Sequence, residues 1–164
     1  MQEKLLEAYR NLALAYSYGW WRTLALTIKK YGWGLVEDEE WPRLARSFGL
    51  KEARGILKVL PTLHKVDLVA EALKLSHWAL FEKVDIEVDG SKVKMRVYEC
   101  SARKSLAKWR LEDYRCEVFT SAALEGFMEA LGVKAKIIRV YGPPDPLPAY
   151  APKGASCEWL VEVS

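Results

Sequence analysis

The sequence predicts an α+β domain: N-terminal helices packed on an antiparallel sheet of about four strands. Three observations carry this. Apolar residues recur at helical spacing through roughly the first 80 positions. An Asp89-Gly90 turn signal then sits between two alternating segments. A helical stretch and two more strand-like segments follow, so the order is helices, then strand-strand-helix-strand-strand. A chain of 164 residues and 18.7 kDa is long enough to bury one core. It is read as a single domain over 1–164, with a helical half at 1–80 and a sheet-forming half at 81–164.

Residues 3–30 predict one long helix with a bend near Gly19. Leu5, Leu6, Tyr9, Leu12, Leu14, Tyr16, Trp20, Leu24 and Ile28 form its apolar set. Gly32-Trp33-Gly34 should end it. Asp38 is placed to cap the next helix, with Trp41-Pro42 in the first turn, where the missing proline N–H does no harm. Ser47-Phe48-Gly49 reads as a break, followed by a helix over about 50–60 that Pro61 stops. A further helix is expected over about 65–80, burying Val66, Val69, Leu73, Trp78 and Leu80.

Residues 82–99 predict a hairpin. An Asp89-Gly90 turn of the I′ kind sets Glu87 opposite Lys92, Asp85 opposite Lys94, Ile86 opposite Val93 and Val84 opposite Met95. The basic connector 101–110 has periodicity for one or two helical turns. A helix over about 117–131 buries Val118, Ala122, Leu124, Phe127, Met128 and Leu131, with Gly132 as its C-cap. Residues 133–141 and 156–163 read as strands, the latter with Cys157, Trp159, Val161 and Val163 on one face. A proline-rich loop joins them. Helices should cover one face of the sheet and leave the other to solvent, a ligand or a second copy.

Composition narrows the function. The net charge of +3 is too small for a concentrated nucleic-acid-binding face, and Glu112 and Asp113 interrupt the basic run at 103–115. No stretch approaches the ~18 apolar residues of a membrane span, and Met1-Gln2-Glu3-Lys4 does not open a signal peptide, so a cytoplasmic location is expected. One Asn and one Gln among plentiful Lys, Arg and Glu suggest a thermophile. Seven Trp and eight Tyr point to an aromatic core, a ligand pocket or an oligomer interface.

Chemistry concentrates between Cys100 and Cys157. The three cysteines lack Cys-x-x-Cys pairing, so any metal site must be assembled by the fold, from Cys100, Cys116, Cys157 and His77, for zinc or another divalent metal. Alternatively Cys116, next to Arg115 at a helix start, is a reactive thiolate. The third reading is structural: buried thiols, or a disulfide between two of them.

Cys100 with Arg103, then Cys116, Gly142-Pro143-Pro144-Asp145 and Cys157-Glu158-Trp159 carry a resemblance. So do Gly19-Trp20-Trp21, Lys29-Lys30-Tyr31-Gly32 and Trp41 in the N-terminal half. The chain resembles a functionally uncharacterised family of small prokaryotic proteins, distantly similar to the L-2-amino-thiazoline-4-carboxylate hydrolase-like proteins. It departs from that pattern at Tyr18, where relatives often carry an acidic residue, and just before Pro143-Pro144-Asp145, where relatives tend to carry a further cysteine and this chain has Val140-Tyr141-Gly142. The resemblance implies a small-molecule protein, with hydrolysis of a heterocyclic or amide C–N bond as one activity. Cys116 would then be nucleophile or metal ligand, with Asp145 to orient or accept a proton and Arg103 and Trp159 against the substrate. A ligand-binding or sensing domain without turnover is the alternative. An oligomeric structural protein, such as a homodimer, is a third reading.

Overall fold

The chain builds its helices first and its sheet second, in a computed structural model that describes residues 2–164. The helices are α1 (Gln2–Tyr31), α2 (Gly34–Glu37), α3 (Glu40–Ile56), α4 (Lys65–Lys74), α5 (His77–Phe81), α6 (Ser101–Lys108) and α7 (Cys116–Ala130). The strands are β1 (Lys83–Asp89), β2 (Lys92–Tyr98), β3 (Ala135–Tyr141) and β4 (Ala155–Val163), in one antiparallel sheet of order β1-β2-β4-β3. This is the α+β architecture the pattern predicts, and no helix among the described residues is long and apolar enough to cross a membrane.

Several local expectations are corrected. The Ser47-Phe48-Gly49 break does not occur; α3 runs straight through it. Gly49 is there for contact: a Cβ on it would overlap the carbonyl oxygen of Ala123 in α7. Gly126 of α7 repeats the arrangement, since its Cβ would overlap the carbonyl oxygen of Arg46. Two glycines thus let α3 and α7 cross backbone against backbone. Arg46, with Glu125 at 3.4 Å and Glu129 at 2.7 Å, rims the crossing.

Asp38 does cap α3, its Oδ1 accepting the Glu40 N–H at 2.8 Å. The expected 65–80 helix is two. Ser76 interrupts it, donating its hydroxyl to the Leu73 carbonyl at 2.6 Å, and leaves Leu80 exposed. The hairpin register differs from that predicted: Asp89 pairs with Lys92, Glu87 with Lys94, Ile86 with Met95 and Val84 with Val97. The two-residue loop is therefore Gly90-Ser91, with Gly90 at φ +57° in the first position, as a II′-type turn requires. The displacement is an even number of residues, so the apolar face predicted for the hairpin survives it.

The core has two parts. The larger lies between one sheet face and α3, α4 and α7, with Val93, Met95, Trp159, Val161, Leu73 and Phe127 at its centre. The smaller joins α1, α2, α3 and α6 around Leu24, Ile28, Trp41, Leu106 and Tyr114. Many of the aromatics are spent here: Trp20 stacks on Trp41, Trp21 meets Tyr114 edge-on, and Trp41 packs on Phe119. Of the apolar set predicted for α1, Leu24 and Ile28 enter this core. Leu5, Leu6, Tyr9, Leu12, Tyr16 and Trp20 remain exposed.

Candidate functional site

All three cysteines meet at the seam between the two cores. Cys100 and Cys157 pack against the larger and Cys116 against the smaller. Each arrives at a change of backbone direction. Cys157 lies in β4 opposite Val97, just where the β2–β4 register slips at Val97/Tyr98. Cys100 follows Glu99, which is held at φ +50°, and its N–H donates to Ser156 Oγ at 3.1 Å. Cys116 is the first residue of α7, with Sγ 3.6 Å from Thr120 Oγ1.

Two flanking devices hold this corner. Glu82 accepts the Ser101 N–H at 2.9 Å and the Ser101 hydroxyl at 2.5 Å, so a carboxylate from the end of α5 caps the start of α6. On the other side, Arg139 donates to the carbonyls of Gly142 and Pro143 and pairs with Asp145 at 2.8 Å, shaping the turn after β3. Gly142 lies directly on Cys157. A Cβ at position 142 would stand 2.8 Å from that of Cys157, so glycine is what the close approach allows.

Between these parts is a cavity of about 120 Å³, lined by Cys100, Cys116 and Cys157 together with Arg103, Leu106, Glu112, Tyr114, Ser156 and the Pro143-Pro144 pair. Its walls are mostly apolar, with Arg103 and Glu112 as the charged members. The three thiols are free and part-buried. Burial pushes the Cys100 thiol up to about 12, with Cys116 and Glu82 adding to the effect. Cys157 is raised by burial first and then by the other two thiols. Cys116 is raised by burial too, against the opposing pull of the Thr120 hydroxyl and the Arg139 charge. All three are thiols, not thiolates, at neutral pH.

The predicted residues divide cleanly. Cys100, Cys116, Cys157 and Arg103 come together on the cavity wall. Asp145 stays outside it, exposed and paired with Arg139. Trp159 is buried in the larger core, 3% exposed, and does not reach the cavity. His77 is elsewhere: its Nδ1 lies 2.9 Å from Glu52 Oε2, and its ring packs on Trp78 and Phe48. Among the described residues no three His, Cys, Asp or Glu side chains are grouped to hold a metal ion. Arg115, the cation expected to activate Cys116, turns instead to Glu117 at 2.6 Å.

Tyr114, Ser156, Glu112 and the positioning pair Glu82 and Arg139 were not singled out as site residues from the sequence. Ser156 adjoins Cys157 and Tyr114 lies two residues before Cys116, which is the one signal that marks them. Glu82 and Arg139 act through loops that periodicity does not describe.

Fold and cavity together define an α+β protein with a small, thiol-walled cavity that opens to the surface beside Arg103 and Glu112. No protein-family model matches this chain, and no curated protein matches it.

Proposed function

We propose that the protein binds a small organic compound in the three-cysteine cavity, through an apolar ring against the thiols and an anionic group on Arg103. The observation that carries this is the convergence of Cys100, Cys116, Cys157 and Arg103 on one cavity, with the thiols part-buried inside it and Arg103 exposed at its rim. A dry apolar cavity of about 150 Å³ takes a compound the size of benzene, so 120 Å³ suits a five- or six-membered ring. Arg103 supplies a planar fork that matches a carboxylate with two parallel hydrogen bonds. Glu112, on the same wall, favours a ligand that also carries a donor such as an amine.

Hydrolysis of a C–N bond is the second reading, and Cys116 favours it. Its sulfur stands at a helix N-terminus within the influence of Arg139, and Glu112, the one carboxylate that lines the cavity, would take its proton at the exposed rim. Burial opposes the thiolate, so the nucleophile would have to be unmasked as the substrate enters.

Thermal-shift titration with carboxylate-bearing thiazolines, and with open-chain amides of the same size, tests both readings. Binding is expected to raise the unfolding midpoint. Arg103→Ala should weaken it about 10- to 100-fold, the value of a hydrogen bond to a charged group. Mass spectrometry of the same mixtures reads turnover, which Cys116→Ala should abolish while binding persists. No stabilisation by any such compound, or equal stabilisation of the Arg103→Ala chain, would sink the proposal.

A further inference from the structure

We infer that the N-terminal half of α1 docks against a second copy of this chain, the two helices running antiparallel. Leu5, Tyr9, Leu12 and Tyr16 follow one another at steps of four, three and four residues, the spacing of a seam that faces another helix. They are 53%, 61%, 53% and 71% exposed, and Leu6 at 68% and Trp20 at 49% widen the stripe. α1 meets its own domain through its C-terminal half, at Ser17, Leu24, Ala25 and Ile28. The N-terminal half therefore carries an apolar stripe that its own domain leaves uncovered.

The area decides what kind of partner is needed. At these exposures the six side chains leave roughly 700–800 Å² of largely apolar surface, given the area such residues carry. A typical monomer's largest patch is about 300–600 Å², while one partner of a standard interface contributes about 800 Å². The stripe has the size of half a dimer.

Its order selects a second copy. In an antiparallel pair Leu5 lies opposite Tyr16 of the other chain and Tyr9 opposite Leu12, and the two-fold axis repeats both contacts. Every layer then sets a leucine against a tyrosine, whereas parallel pairing would crowd ring on ring and leave leucine on leucine. Ala8 and Ala15 flank the seam and let the backbones approach. Residues 2–16 carry Glu3, Lys4, Glu7 and Arg10, two acidic and two basic, so two copies meet without net repulsion. The inference does not depend on the ligand proposed for the cavity.

Sedimentation velocity on the full chain from about 1 to 100 μM is expected to show a dimer whose dissociation constant falls in or below that range. Leu5→Glu with Leu12→Glu should raise that constant at least about 100-fold while leaving near-native circular dichroism, because neither residue is in the core. Should that chain misfold, Tyr16→Arg alone makes the same test. Orientation is read by cross-linking: on oxidation, a mixture of Leu5→Cys and Tyr16→Cys chains should join, and Leu5→Cys chains alone should not. A wild-type chain that stays monomeric throughout overturns the inference. So does a dimer that survives the charged substitutions, which would put the interface elsewhere, and cross-linking of Leu5→Cys to itself, which would make the pair parallel.

Discussion

Cys100, Cys116 and Cys157 are weak acids in surroundings that favour the protonated form. That preference is a stability statement with a definite sign. The folded chain keeps each proton at a pH where the unfolded chain, with cysteine near its usual value of about 8.5, has released it. The stabilisation is complete below about 8.5 and is lost as pH rises toward the folded value of about 12 for Cys100. Urea midpoints should therefore fall between about pH 8 and about pH 11, and Cys100→Ala should flatten that slope relative to wild type. An unchanged slope would show that Cys100 is better solvated than its packing implies. The same burial makes the native thiols slow to alkylate near neutral pH. Convergence of the cysteines was legible in the chain order only as an opportunity, because strand ends and helix starts lay near all three. Asp145, Trp159 and His77 carried equally suggestive chemistry and went to other partners. What separated them was tertiary: Arg139 for Asp145, Glu52 for His77, and the inward pleat of β4 for Trp159.

At the scale of elements, the α3–α7 crossing and the outer face of the sheet hold the strongest constraints. Gly49→Ala or Gly126→Ala would each force a methyl into a backbone carbonyl and push the helices apart. Either should cost of the order of 3 kcal/mol, read as a drop in the denaturation midpoint with little change in secondary structure. Glycine inside a helix favours a break when only the sequence is seen, and that is how Gly49 misled; its partner in contact lies some 75 positions away and has no local signature. On the sheet, Arg96 Nε donates to Glu158 Oε2 at 2.6 Å, with the two side chains only 14% and 9% exposed. Arg96→Ala leaves that carboxylate with the Tyr141 hydroxyl at 3.4 Å as its remaining partner and should cost about 1–3 kcal/mol in the same measurement. Replacing both residues with well-packed apolar ones should recover much of the loss, since the pair also pays to leave water. The hairpin was legible through its alternation, whereas the exact turn was not: Asp-Gly and Gly-Ser are both good two-residue loops, and a shift of two residues keeps the same face inward in either.

For the whole molecule, periodicity told which residues were apolar along a face but not whether anything would cover that face. α1 makes the point. Its stripe from Leu5 to Trp20 reads like a core stripe and is instead the surface on which the dimer is proposed. Of the aromatics, Trp21, Trp33, Trp41, Trp109, Tyr114 and Phe119 build the small core, while Tyr9, Tyr16, Tyr18 and Tyr31 of α1 stay on the surface.

The crossing of α3 and α7 also bears on how the chain reaches its fold. Arg46 and Glu125, which meet at its rim, are 79 residues apart in sequence, and the whole β1–β2 hairpin lies between them. The hairpin can form early from local contacts, but the helix pair must wait for a long loop to close. Gly49 and Gly126 set the distance of closest approach, so side chains around them such as Ala45, Ala53, Ala123 and Phe127 reach full contact only once the backbones meet. The interface is then expected to form late, so Gly49→Ala should speed unfolding more than it slows folding, read from the two limbs of a chevron plot.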